Sequence, residues 1–136
     1  MITLASVTAA TCGVATIPSL VRPERIESLV GLLDVTAAST AQAGVTLNVY
    51  VQSRLLDSSS GAWDDFIAFS QAPSTGVLPI KTLALWGRHV AVTSGMHSPS
   101  NKALTAGTVN QGPVGNDWRV AYTVSATSGS FTFAVN

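Results

Sequence analysis

Charge is what this chain has least of. Its 136 residues include seven Lys and Arg and seven Asp and Glu, 10% in all, and the formal net charge is zero. A soluble domain ordinarily carries about a quarter charged residues, and its surface alone about 25–35%. The mean hydropathy is positive. A lone molecule with such a surface has little electrostatic protection against association. Histidine is scarce as well, with only His89 and His97. Cys12 is the single cysteine, so no internal disulfide forms. Its side chain reads as a small, half-buried apolar group. Basic residues do not cluster: Arg22, Arg25, Arg54, Lys81, Arg88, Lys102 and Arg119 are scattered. Nucleic-acid binding leaves a basic footprint, so no nucleic-acid partner is expected. Polybasic attraction to a membrane is excluded for the same reason. No apolar run reaches the roughly 18–20 residues of a bilayer span. The opening MITLASVTAA lacks the basic start of a secretory signal. It reads as mature sequence kept in a reducing compartment until assembly. Together these absences imply a surface covered largely by other protein subunits.

What is present is strand-forming. Thr and Val are abundant, and branching at Cβ favours the pleated sheet. Val45, Leu47, Val49 and Val51 share one strand face, with Thr46, Asn48, Tyr50 and Gln52 on the other. Trp118, Val120, Tyr122 and Val124 repeat the pattern, as do Phe131, Phe133 and Val135. Leu29, Leu33 and Val35 line one side of an earlier strand, but Val30 and Leu32 make it apolar on both. Such a strand is central in a sandwich or covered by a neighbour. Asp57–Gly61 separates a strand at 45–55 from one at 63–70. Thr127-Ser128-Gly129 is expected to join the last two strands in a tight turn. Leu83 and Leu85 are odd-numbered whereas Val90 and Val92 are even, so a bulge or kink is expected at Gly87-Arg88-His89. Residues 94–117 form the longest irregular stretch, with one short strand near Leu104–Val109. Pro23–Ser28 is helix-like but too short for more than a turn. The expectation is an all-β chain: one compact β-sandwich or jelly roll of about 7–9 short strands over residues 1–136. Residues 1–28, with few strand signals, are expected as a partly extended N-terminal arm.

Catalytic chemistry has little to stand on, and no enzyme is expected. A Ser-His-Asp site needs a base held by a carboxylate and a nucleophile on a constrained turn. Only His89 and His97 are available, and Gly-x-Ser-x-Gly does not occur. Asp64 and Asp65 are adjacent, so in a strand they point to opposite faces and cannot act together on one glycosidic bond. Asp57, Ser59 and Gly61 only partly follow a calcium loop and lack the later acids and the closing Glu. One Cys and two distant His do not make a zinc site. No Gly-rich phosphate loop is present, so no cofactor or metal is expected. Trp63, Trp86 and Trp118 offer two readings: a sugar-stacking platform, or core and interface packing. Trp118 is in phase with Val120 and Val124, which favours the core.

Several segments carry a resemblance. Leu33-Asp34-Val35-Thr36-Ala37-Ala38, then Val45 through Ser53, then Gly61-Ala62-Trp63-Asp64-Asp65-Phe66, resemble small virion proteins of tailed bacteriophages. Trp118 through Ser125 and Gly129 through Val135 fit the same pattern. The likeness covers residues 29–70 and 117–136, and residues 71–116 match nothing in it. The Ser58-Ser59-Ser60 run departs from the shorter Asp-Gly turn of the pattern. The resemblance implies a compact β-sandwich with a structural role on the particle. The leading form is a head decoration or cement protein that stabilises the capsid; a head–tail connector or tail part is the alternative. Its partners would be the major capsid protein or neighbouring virion subunits, and its place the virion, assembled in the host cytoplasm. Shell symmetry favours a homotrimer. The interface residues expected by position are Arg22 and Arg25 in the arm, Arg88, and Met96 and His97 in the long loop, with the turn Asp57–Gly61 beside them. A reading from another class remains: a carbohydrate-binding sandwich that recognises a host glycan. It requires exposed, coplanar tryptophans.

Overall fold

The computed structural model describes residues 5–10, 12–16, 28–39, 41–54, 62–87, 103–110, 115, 117–125 and 129–136. Ten strands form among the described residues: β1 Ala5–Ala10, β2 Cys12–Thr16, β3 Ser28–Ala38, β4 Thr46–Arg54, β5 Asp64–Ala68, β6 Ala72–Pro73, β7 Ile80–Gly87, β8 Thr108–Val109, β9 Asp117–Val124 and β10 Phe131–Val135. Eight of them have five residues or more; β6 and β8 have two each. The described residues contain no helix. The strands lie in two antiparallel sheets, so the fold is all-β and sandwich-like. Sheet A has the order β1-β10-β3-β7. Sheet B has the order β2-β9-β4-β5-β8, with β6 paired to β4.

The core forms where the alternation said it would. Val45, Leu47, Val49 and Val51 are buried from sheet B, and Leu33, Val35, Phe131, Phe133 and Val135 from sheet A. Trp118, Tyr122 and Val124 pack against this cluster with Val120 inside it. β5 is buried along its whole length. The reason lies in the segment 103–110, which covers it: the amides of Gly107 and Asn110 donate to the carbonyls of Ala68 and Phe66. The short strand expected near Leu104–Val109 is β8, and it pairs with β5.

Two expectations are corrected. Thr127–Gly129 does not close a hairpin, because β9 lies in sheet B and β10 in sheet A. The chain crosses between sheets there. Residues 126–128 themselves lie outside the described residues. The expected arm also differs over its described part. β1 pairs antiparallel with β10 and β2 with β9, so this segment edges both sheets in turn. Backbone donors and acceptors along β9 and β10 need partners, and a Thr- and Val-bearing segment supplies them. β7 stays in unbroken register with β3 from Ile80↔Val35 to Gly87↔Ser28, and the bulge or kink expected at Gly87-Arg88-His89 falls where the described residues end. Residues 88 and 89, and the helix-like stretch 23–27, lie outside the described residues.

Candidate interaction surfaces

The outer face of sheet A is apolar where β3 meets β7. Val30 stands opposite Leu85 and Leu32 opposite Leu83. Val30 is 60% exposed, Leu83 66% and Leu85 72%; Leu32 is half-buried. Four aliphatic side chains in two facing pairs make a contiguous patch, not scattered exposure. In the next same-face row Asp34 stands opposite Lys81. Their closest approach is 3.9 Å, from Lys81 Nζ to Asp34 Oδ2. Asp34 Oδ1 is buried without a hydrogen-bond partner. One end of the patch is therefore bordered by an ion pair that is not closed by a hydrogen bond.

The outer face of sheet B is the opposite in character. Asp65 is buried, and it accepts from Gln52 Nε2 at 2.7 Å and from the Leu104 amide at 2.8 Å. Gln52 Oε1 accepts from Arg119 Nε at 2.6 Å. Arg54 donates through Nη2 to Asp117 Oδ2 at 2.7 Å. The two guanidinium carbons lie 4.9 Å (Arg54) and 4.3 Å (Arg119) from the centre of the Trp63 ring, within cation–π range. Burial, and then the charge of Arg54, lower the pKa of Arg119, with Asp65 opposing. Burial, and then the charge of Asp65, raise the pKa of Tyr50. The network ties β4, β9, β5 and the 103–110 segment into one unit. Bonds of this kind between strands hold a face rigid.

Trp63 and Trp118 do not assemble as a platform. Trp118 turns inward, 5.5 Å from Phe66 between ring centres, and its Nε1 donates to the Gly115 carbonyl at 2.6 Å. Trp63 sits against the two guanidinium groups. The side chain of Trp86 lies outside what is described.

Arg22, Arg25, Arg88, Met96 and His97 all lie outside the described residues, as does the whole turn Asp57–Gly61. The surface that does stand out, Val30 with Leu32, Leu83 and Leu85, was not among the residues singled out for contact. Its signal was in the sequence: β3 is apolar on both faces, and among the described residues one of the two stays exposed. Asp64 lies opposite Ser53 and Asp65 opposite Gln52. The two acids thus sit in adjacent rows, as expected of neighbours in a strand. Among the described residues no three His, Cys, Asp or Glu side chains gather as a metal site. No helix there is long and apolar enough to cross a membrane. No protein-family model, curated protein or solved structure matches the chain.

Proposed function

We propose that this chain is a structural subunit of an assembled particle, acting through protein contacts and not through turnover. The observation that carries the reading is the aliphatic quartet of exposed Val30, Leu83 and Leu85 with half-buried Leu32, on a chain with 10% charged residues. Contiguous apolar patches on folded domains mark protein interfaces. Permanent interfaces are also more apolar than ordinary surface. The more specific form of the proposal is a head decoration or cement protein of a tailed-bacteriophage virion, docked on the major capsid protein. Its support is the resemblance of residues 29–70 and 117–136, which lie mostly on paired strands of the sandwich. A glycan-binding role draws less support, because Trp118 faces the core and Trp63 is flanked by guanidinium groups.

The test is to incubate the purified chain with assembled capsid shells and with free capsid subunits, and to count bound copies by quantitative mass spectrometry and imaging. Binding in many copies to shells is the expected result. A few copies in a ring at one vertex would move the protein to a connector. Absence from every particle, together with saturable glycan binding, would overturn the reading.

A further inference from the structure

The geometry points to a second copy of this chain as the occupant of the apolar face. Two copies pack outer face to outer face across sheet A, about a two-fold axis that runs along the strands between β3 and β7. The inference rests on the assembly reading only in taking the same face as an interface.

The argument comes from the register. A two-fold axis lying between β3 and β7 places β3 of one copy over β7 of the other. Residues that face each other across the strand pair then also face each other across the interface. Val30 meets the second copy's Leu85, Leu32 meets the second copy's Leu83, and Asp34 meets the second copy's Lys81. Each contact occurs twice, as an isologous interface requires. Packed sheets stand about 10 Å apart and cross at about 30°. Near the axis that rotation leaves facing side chains in reach over the short span from residue 30 to residue 34.

Charge selects this occupant over an unrelated apolar partner. One acid and one base sit in the same row, so a copy turned about the axis presents the opposite sign to each. Among the described residues Asp34 is also short of a hydrogen-bond donor. Its Oδ1 is buried and unpaired, and its Oδ2 stands 3.9 Å from Lys81 Nζ, beyond hydrogen-bond length. Rotation of the carboxylate toward a second ammonium supplies the missing bond. A net charge of zero means that identical copies do not repel at long range. The contact is small: with the axis between β3 and the edge strand β7, only these two strands of each copy overlap, over eight paired rows, roughly 250 Å² in projection. That is less than the roughly 800 Å² per partner of a standard stable interface, so the association is expected to be weak and reversible. The contact is two-fold, in place of the three-fold order expected from shell symmetry.

Sedimentation of the full chain tests this with charge exchange. The wild type is expected to dimerise reversibly at high concentration. Asp34→Lys places two lysines in the row and Lys81→Asp two acids, so each alone is expected to dimerise at least about tenfold more weakly. An equimolar mixture of the two variants restores opposite signs in every row and is expected to form a heterodimer. The double exchange Asp34→Lys/Lys81→Asp restores them within one chain and is expected to dimerise like the wild type, which also covers the case of a poorly folded single variant. Circular dichroism melts check the fold of each. A wild type that stays monomeric at high concentration, single variants that remain fully dimeric, or a mixture that stays monomeric would overturn the contact. A monomer that still decorates shells would overturn only this contact and leave the assembly reading standing.

Discussion

Gly129 lies so close to Val45 that a Cβ on the glycine would come within 2.5 Å of Val45 Cγ1. Val45 is itself buried, so it has no free direction in which to yield. The close approach occurs just before β10, where the chain has left sheet B for sheet A. Gly129→Ala is therefore expected to destabilise the fold by about 1–3 kcal/mol through overpacking. Gly44 offers a contrast: its φ is +84° but nothing lies within 4 Å of the Cβ position. Gly44→Ala is expected to cost only the backbone strain, about 1–2 kcal/mol. Urea denaturation midpoints, read at constant m, check the pair. A Gly129→Ala protein as stable as the wild type would contradict this packing at the crossing.

Phe133 is buried in the core and meets Tyr122 edge-on at 5.3 Å between ring centres, joining sheet A to sheet B. Phe133→Ala is expected to cost about 3–5 kcal/mol. Leu83→Ala, on the outer face, is expected to change the stability of the dilute single chain by less than about 0.5 kcal/mol. Similar losses for both, measured well below any association concentration, would mean that the two faces of sheet A are assigned wrongly.

Asp65 holds the 103–110 segment to sheet B through the Leu104 amide and holds Gln52 from behind. Asp65→Ala leaves both donors without their acceptor and is expected to cost about 1.5–3 kcal/mol, the range for hydrogen bonds to a charged group. Hydrogen exchange gives the specific readout. The Leu104 amide loses protection in the variant well before the amides of β4 and β9 do.

Tyr50 is expected to make stability fall in alkali. Burial first, and the Asp65 carboxylate second, raise its pKa above the usual 10.0 in the folded chain. The neutral phenol is thus favoured by folding. Its contribution is complete below the unfolded pKa of about 10 and is lost as pH rises through the folded value, because the unfolded state gives up its proton first. In a Tyr122→Phe background Tyr50 is the sole phenol, since the chain has two tyrosines. Its titration can then be followed by phenolate absorbance. Asp65→Asn in that background is expected to lower the midpoint; no movement would remove Asp65 as a cause.

Much of the fold was legible because the side-chain period of a strand is two. Val45 through Val51 and Phe131 through Val135 bury one residue in two, and the structure places each of those residues inside. The hairpin of β4 and β5 followed from a polar linker between two apolar runs. The same rule failed at the last connection. Thr127-Ser128-Gly129 has hairpin chemistry, yet turn residues say only that the chain reverses and not which sheet it re-enters. It failed at the N-terminus as well: β1 and β2 gain their order from the edges of β10 and β9, which are far away in sequence.

The candidate surface was half legible. Val30 and Leu32 announced a strand apolar on both sides. They did not announce which side the core would take. Gly31 and Phe69 decide that. A Cβ at Gly31 would stand 3.2 Å from Phe69 Cζ, so the aromatic ring from the sheet-B half already fills the space under β3. Only the small residues Gly31 and Ala84, opposite each other, fit inward at this point. Val30, Leu32, Leu83 and Leu85 are left facing out.

By itself, then, the sequence determined the local conformation, the positions that share a strand face, and the shortage of charge that makes a bare surface sticky. Those follow from backbone stereochemistry and composition, which act over a few residues. The tertiary structure alone decided which strands share a sheet, which of two apolar faces is covered, and which three side chains meet as Asp65, Gln52 and Arg119. Those depend on groups brought together from distant parts of the chain, where volume and hydrogen-bond partners must be matched in space and no local pattern records the match.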